Sequence, residues 1–195
     1  MEFLKADQLN FDPRMQMADI LVEAFYHHFV YFSKDKQKLA NSFAPAFDLS
    51  AFYVAVENGQ VASLTGVTDK KSPALNLDKK HLRKELGFIR GTLAYIMLNK
   101  MMVAKPYPFT VEKDTGVIDF VASSPNFRGR GITYQLMNHA MKTSGYKRYI
   151  LEVVDNNTPA IRLYQKLGFK EFTTVPEKHP KQADFDYYSY MEKEV

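Results

Sequence analysis

Two patterns of different period meet at one short turn, and that junction limits what the chain can build. Residues 117–123 (Val-Ile-Asp-Phe-Val-Ala-Ser) are β-branched and aromatic, as in a strand. From Ile132 onward, Ile132, Leu136, Ala140 and Met141 recur at helical spacing. Between them runs Asn126-Phe127-Arg128-Gly129-Arg130-Gly131-Ile132-Thr133. The first N–H groups of a helix have no partner within it, and the helix dipole favours negative charge at that end. Glycine adds to this by letting the backbone approach an anion with no Cβ in the way. The turn therefore reads as an anion seat, although many glycine-rich turns only reverse the chain.

The rest of the chain supplies the layers. Residues 2–8 read as a short strand, and Asp12-Pro13 as the start of a helix running to about Phe32. That helix carries Ile20, Leu21, Ala24, Phe25, His28 and Phe29 on its apolar side. A second helix spans about 35–44. Asn58-Gly59, between apolar runs at 51–56 and 60–67, is the strongest hairpin signal. A polar loop with Lys70, Lys71 and Pro73 follows. Residues 78–103 are helical in pattern, and Leu82, Leu86, Ile89, Leu93, Ile96 and Met101 form a stripe expected to be buried. Gly87 and Gly91 within it suit either a break or a close approach of another element. Lys105-Pro106-Tyr107-Pro108-Phe109 cannot continue a helix. After strand 117–123 come helix 131–144, strand 148–154, helix 158–167, and strands 169–175 and 185–191. This order predicts a mixed α/β or α+β architecture with helices covering a sheet.

Composition narrows the chemistry. With 195 residues and 46% hydrophobic content, the chain fits one globular domain. No cysteine is present, so disulfides, thiolate metal sites and a cysteine nucleophile are excluded. The five histidines lack metal-ligand spacing, and His27 and His28, being adjacent, are expected to point to different sides of a helix. No metal is therefore expected. The net charge of +4 is spread out, which argues for a small polyanionic ligand and against nucleic acid. No apolar run is long enough for a membrane span, and the N-terminus lacks a signal-peptide layout, so a cytoplasmic protein is expected.

A second constellation lies one strand further on. In Asn157-Thr158-Pro159-Ala160-Ile161-Arg162-Leu163-Tyr164-Gln165-Lys166-Leu167-Gly168-Phe169, Asn157 reads as an N-cap and Pro159 sits in the first turn. Ala160, Leu163, Tyr164 and Leu167 share a face, and Gly168 ends the helix in the left-handed conformation. Taken alone, this is a well-capped amphipathic helix. Taken with Arg128, Gly131 and Thr133 in the earlier turn, the Asn157–Ala160–Leu163–Tyr164–Gly168–Phe169 pattern resembles the GNAT superfamily of acetyl-CoA-dependent N-acetyltransferases. The match is strongest over about 117–170, and Thr133 stands where the family has a glycine or alanine.

The resemblance implies a GNAT fold over residues 1–195: a mostly antiparallel, splayed sheet of about six or seven strands flanked by helices, with a helical insertion at about 70–115 between the third and fourth strands. It implies acetyl-CoA as co-substrate, held by the backbones of Val121, Ala122 and Ser123, by Arg128, Gly129, Arg130, Gly131, Ile132 and Thr133, and by Asn157. Asn157 has the competing role of a cap, and the Arg130 side chain that of pointing to solvent. Tyr164 takes the place of the tyrosine that protonates the leaving thiolate, or one that only orients the sulfur. Asp119, two residues before Val121 and so expected on its face, is the candidate base or a solvated strand residue. The implied reaction is direct attack of a primary amine, from a small molecule or peptide, on the thioester in a ternary complex. A non-catalytic acyl-CoA sensor is the alternative. The insertion would cover the acceptor end of the cleft or pair with a second subunit as a homodimer.

Overall fold

The computed structural model describes residues 1–69, 73–103 and 106–195, with Gln182 as backbone only. Lys70 and Lys71 of the expected polar loop, and Lys105 ahead of Pro106, lie outside them. The elements run β1 (Glu2–Lys5), α1 (Arg14–Phe29), α2 (Lys36–Phe43), β2 (Phe52–Glu57), β3 (Gln60–Thr68), α3 (Lys79–Leu86), α4 (Phe88–Leu98) and β4 (Thr115–Ser123). Then follow α5 (Ile132–Ser144), β5 (Arg148–Val154), α6 (Thr158–Lys166), β6 (Lys170–Pro176), the short α7 (Pro180–Ala183) and β7 (Tyr187–Glu194).

All seven strands lie in one sheet of order β1-β2-β3-β4-β5-β7-β6. The β4–β5 join is parallel, and every other join among the described strands is antiparallel. The sheet has a core on each face. Met17, Leu21 and Phe29 of α1 and Leu39 and Phe43 of α2 pack with Phe52, Val54 and Leu64 on one side. On the other, Leu136, Met137 and Ala140 of α5 and Tyr164 of α6 pack with Ile118, Tyr149, Leu151 and Met191. The fully buried Tyr149 donates its hydroxyl to the Met141 carbonyl at 2.6 Å, tying the last turn of α5 to β5.

The β2–β3 turn is as expected: Asn58 and Gly59 have φ of 51° and 75°, a pair that joins strands of right-handed twist. Other boundaries differ from the sequence reading. The first strand ends at Lys5 and a single 3-10 turn follows, while α7 shortens the approach to β7. At α1 the cap position falls to Pro13, and Asp12, one residue further out, accepts the Arg14 N–H at 3.0 Å. Phe25 is non-helical (φ −118°, ψ 20°), so α1 is kinked there. His27 and His28 beyond the kink do not diverge. Their rings lie 3.7 Å apart, both are exposed, and partial desolvation together with His27 lowers the His28 pKa.

The region 78–103 is two helices followed by a π-helical turn (Asn99–Val103), and its two glycines take one alternative each. Gly87 breaks the helix, at φ 85° and ψ 161°, positions no L-residue favours. Gly91 is the close approach: a Cβ there would lie 2.4 Å from the Leu82 carbonyl oxygen and 2.5 Å from Arg83 Cα. Gly91→Ala is therefore expected to cost about 1–3 kcal/mol through overpacking between α3 and α4. Urea unfolding measures it, and an unchanged midpoint would refute the contact.

The expected burial of the stripe is overturned. Leu82 is buried, but Ile89, Leu93, Ile96 and Met101 are 72%, 50%, 57% and 49% exposed, and Phe88 is 71% exposed. The cause is the choice of face: α4 turns its small residues Gly91 and Ala94, with Leu98, toward the fold. A helix with apolar residues on most sides leaves the sequence unable to say which side goes inward.

Candidate active site

A fork in the sheet defines the site. The last β4–β5 pair is Ile118 with Leu151, although β4 continues to Ser123 and β5 to Val154. On its other edge β4 stays paired with β3, but the register shifts between Gly66–Asp119 and Leu64–Ala122. The extra residue sits where Phe120 takes φ 55°, a bulge that bends β4 away from β5. The bulge also breaks the alternation of faces. Phe120 and Ala122 pack against the α1–α2 core, whereas Val121 packs against the α5–α6 core. Asp119 neighbours Ile118, which faces the α5–α6 side, so Asp119 projects from the opposite face. The expectation that Asp119 and Val121 share a face is thus wrong, because it assumed an unbroken strand.

The backbone of β4 divides its groups between the two edges. The Ser124 N–H reaches the Ala62 carbonyl at 2.9 Å, and the Ala122 carbonyl accepts the Ser63 hydroxyl at 2.8 Å. Residues 122 and 124 therefore face β3, and alternation turns the peptide groups of Val121 and Ser123 toward the fork.

Beyond the fork comes the anion seat. Gly129 and Gly131 have φ of 75° and 70°, and a Cβ built on either meets no atom within 4 Å. Gly131 is the cap residue of α5, no side chain caps this end among the described residues, and the first backbone bond of the helix is Gln135 N–H to Gly131 O at 3.2 Å. The N–H groups of Ile132, Thr133 and Tyr134 therefore have no partner within the helix.

The side chains of this loop divide their duties. Arg130 forms a two-pronged ion pair with Glu57 at 2.9 and 2.8 Å, so its charge is spent on the β2 end rather than on the seat. Arg128 is exposed, and its charge reaches Glu23 of α1, whose carboxyl is held low first by a hydrogen bond from Lys36. The Thr133 hydroxyl lies 3.0 Å from that of Ser63. Ser63 has one proton and gives it to Ala122, so Thr133 must be the donor in this pair. Its branched side chain is thus turned into the sheet, and only its N–H faces outward.

At the α6 end, Asn157 caps the helix, accepting the Ala160 N–H at 3.4 Å, and is exposed. Gly168 at φ 91°, with Gly168 N–H to Gln165 O and Phe169 N–H to Tyr164 O, both 3.0 Å, closes it. Tyr164 is 6% exposed, and burial and then the charge of Asp119 push its phenol well above the ordinary value. The fork thus brings Asp119 and Tyr164 within electrostatic reach, while the loop donors lie at the start of α5.

Sequence reasoning missed a second group at this place. Tyr190 donates a hydrogen bond to Glu152, and Tyr107 lies against Tyr190 with ring centroids 5.8 Å apart. Phe109 completes the wall, 5.3 Å from Tyr190 and 5.0 Å from Phe172. One signal was visible: Glu152 is the lone acid within the apolar strand Tyr149-Ile150-Leu151-Glu152-Val153-Val154.

A sequence model of the acetyltransferase (GNAT) family matches residues 15–169. The chain belongs to this family. Mycothiol acetyltransferase of Corynebacterium glutamicum strain R is 42% identical over 62 residues, 30% of this chain and 20% of that protein. The GNAT chain thus spans about a fifth of the length of the curated relatives it matches. Among solved structures it is similar to an N-acetyltransferase from Staphylococcus aureus Mu50, with TM-score 0.62 and 15% identity over 99% of this chain and 100% of that one. It is also similar to aminoglycoside 6'-acetyltransferase type Ii, with TM-score 0.59 and 14% identity over 100% and 97%. At such identities the likeness is one of fold. No helix among the described residues of this GNAT protein is long and apolar enough to cross a membrane, and no group of three or more metal-binding side chains occurs among them.

Proposed function

We propose that the chain is a single-domain N-acetyltransferase that moves the acetyl group of acetyl-CoA to a primary amine of a small molecule or peptide. The observation that carries this is the open fork of β4 and β5 leading to the uncapped start of α5. The fork offers the Val121 and Ser123 peptides as an edge for an extended ligand arm, and the α5 terminus offers N–H donors to phosphate. Gly129 and Gly131 keep the space above the loop clear. The residues present therefore fit coenzyme A, which when bound supplies an acetyl thioester ready for attack by nitrogen.

Each chain group then has one task. Ile132 and Thr133 hold the pyrophosphate through their N–H groups, with Arg128 adding charge. Arg130 contributes its backbone and, through Glu57, the anchoring of the loop. The Val121 N–H stabilises the oxygen that becomes negative as nitrogen adds. Asp119 takes the proton from the incoming ammonium, directly or through water. Tyr164 stays protonated at neutral pH and donates a hydrogen bond to the departing sulfur. Burial and the charge of Asp119, which hold its proton on, favour a donation that orients and stabilises the sulfur over early release of the proton. Asn157 caps α6 and turns its amide to the ligand arm.

The rival reading is a GNAT-fold sensor that binds acyl-CoA without turnover, to which Thr133, in place of the family's glycine or alanine, lends mild support. With the Thr133 hydroxyl turned to Ser63, that support is lost. Incubation with acetyl-CoA and a broad amine panel, following free thiol, is expected to show turnover. Tight acetyl-CoA binding with no thiol release from any amine would favour the sensor.

A further inference from the structure

We propose that the acceptor's ammonium group is received between Asp119 and Glu152, one carboxylate on each arm of the fork, and that this pair selects amines with no carboxylate of their own beside the nitrogen. The inference rests on the acetyl-transfer reading for where the nitrogen must arrive, and deepens it by naming the acceptor class.

The placement follows from register. Ile118 and Leu151 are the last residues paired between β4 and β5, so Asp119 and Glu152 are the next residue on each arm. Residues paired across parallel strands share a face, and Ile118 and Leu151 both belong to the α5–α6 core. Asp119 and Glu152 therefore project together from the other face, at the point where the strands part. Tyr190 is the register partner of Glu152 on β7 and holds its carboxylate by a hydrogen bond. Tyr107, brought across from the segment after α4, stands over Tyr190 at 5.8 Å. It senses both acids: after burial, the charges of Asp119 and Glu152 are the largest causes that raise its phenol. One ring is thus within electrostatic reach of both carboxylates.

This surround suits a cation. Both carboxylates are half-buried, so each gains from a positive charge placed between them, and aromatic walls do not compete with it. An alkylamine arrives as ammonium at neutral pH, since its pKa lies near that of lysine at about 10.4. Asp119, whose charge reaches Tyr164, accepts one ammonium proton; the nitrogen lone pair so released bonds to the acetyl carbon, the carbon–sulfur bond breaks, and the departing thiolate takes up the second proton that the nitrogen gives up. Glu152 keeps its charge and holds the ammonium in register, which makes it a specificity-determining residue. An α-amino acid would bring a third carboxylate to the same point, where repulsion opposes it. Amines on alkyl, aromatic or peptide bodies bring none.

Two matched pairs test this: tyramine against tyrosine and phenethylamine against phenylalanine. Their affinities are measured by titration calorimetry on the full chain saturated with coenzyme A, so the readout does not need turnover. In at least one pair the amine is expected to bind at least roughly tenfold more tightly than its amino acid. Glu152→Gln is expected to weaken that amine roughly tenfold, with coenzyme A affinity unchanged. Equal affinities within both pairs, or binding of none of the four compounds, would overturn the proposal on the unaltered protein. A Glu152→Gln protein that binds coenzyme A normally and keeps full amine affinity would overturn it as well. Selective amine binding without thiol release would remove the acetyl-transfer reading and leave this one. Thiol release without selectivity would do the reverse.

Discussion

Tyr164→Phe is expected to lower kcat by roughly 100-fold, near the small end of acid-catalysis effects, and to leave acetyl-CoA affinity within about twofold. The change removes one oxygen from a side chain that is 6% exposed, and the ring keeps its place against Phe169, 6.2 Å between centroids. Packing is thus preserved while the donor to the sulfur is lost. The effect stays near the small end because the phenol is raised by burial and by Asp119, so it holds its proton rather than releasing it early. The sign for pH follows: a phenol raised above its ordinary value stays neutral through the whole range below about 10, and it gives no alkaline loss of rate there. A pH–rate profile with an alkaline limb near about pH 8 that vanishes in Tyr164→Phe would contradict this placement. Unchanged kcat in the variant would remove Tyr164 from the chemistry altogether.

Gly131→Val is expected to weaken acetyl-CoA binding by roughly 100-fold, about 2.8 kcal/mol at 1.4 kcal/mol per tenfold, while the protein loses only about 1–2 kcal/mol of stability. The two numbers separate because they have different origins. The stability loss comes from φ at 70°, which a branched residue adopts poorly, since no neighbour lies within 4 Å of the added Cβ. The affinity loss comes from filling the same open space over the α5 N-terminus, where phosphate would meet the N–H groups. Calorimetric titration and urea unfolding on one sample distinguish them. A stability loss with unchanged acetyl-CoA affinity would show that the loop is only a turn.

What could be read from the sequence was what local chemistry decides. The Asn58-Gly59 hairpin, the Asn157 cap and the Gly168 closure each depend on a few adjacent residues, and each stands where the sequence puts it. Strand β5 spans 148–154 as read, because β-branched residues over a short run leave little choice. What could not be read depends on partners distant in the chain. The bulge at Phe120 exists because β4 follows β3 past the point where it leaves β5, and nothing in Val-Ile-Asp-Phe-Val-Ala-Ser announces it. Asp119 was therefore given the wrong face, and Glu152 was passed over, since its place at the fork is set by where pairing stops. Arg130 and Thr133 were ambiguous for the same reason: their partners, Glu57 and Ser63, lie 73 and 70 residues away. The outward face of α4 was misjudged because the apolar pattern gives a helix but not the side that meets the fold.

The parallel join between β4 and β5 also bears on how the molecule holds together. It consists of four residue pairs, Thr115–Arg148 to Ile118–Leu151, which among the described strands join a ribbon of β1 to β4 to a ribbon of β5, β7 and β6. Each ribbon has long antiparallel ladders of its own, so the sheet resembles two planks glued along a short seam. A ligand laid in the open part of that seam touches both planks and acts as added glue. Binding and cohesion would then be the same event, and saturating acetyl-CoA is expected to raise the melting temperature of the halves together. The fork opens where the seam ends, and that same shortness would make a bound ligand a structural member of the sheet.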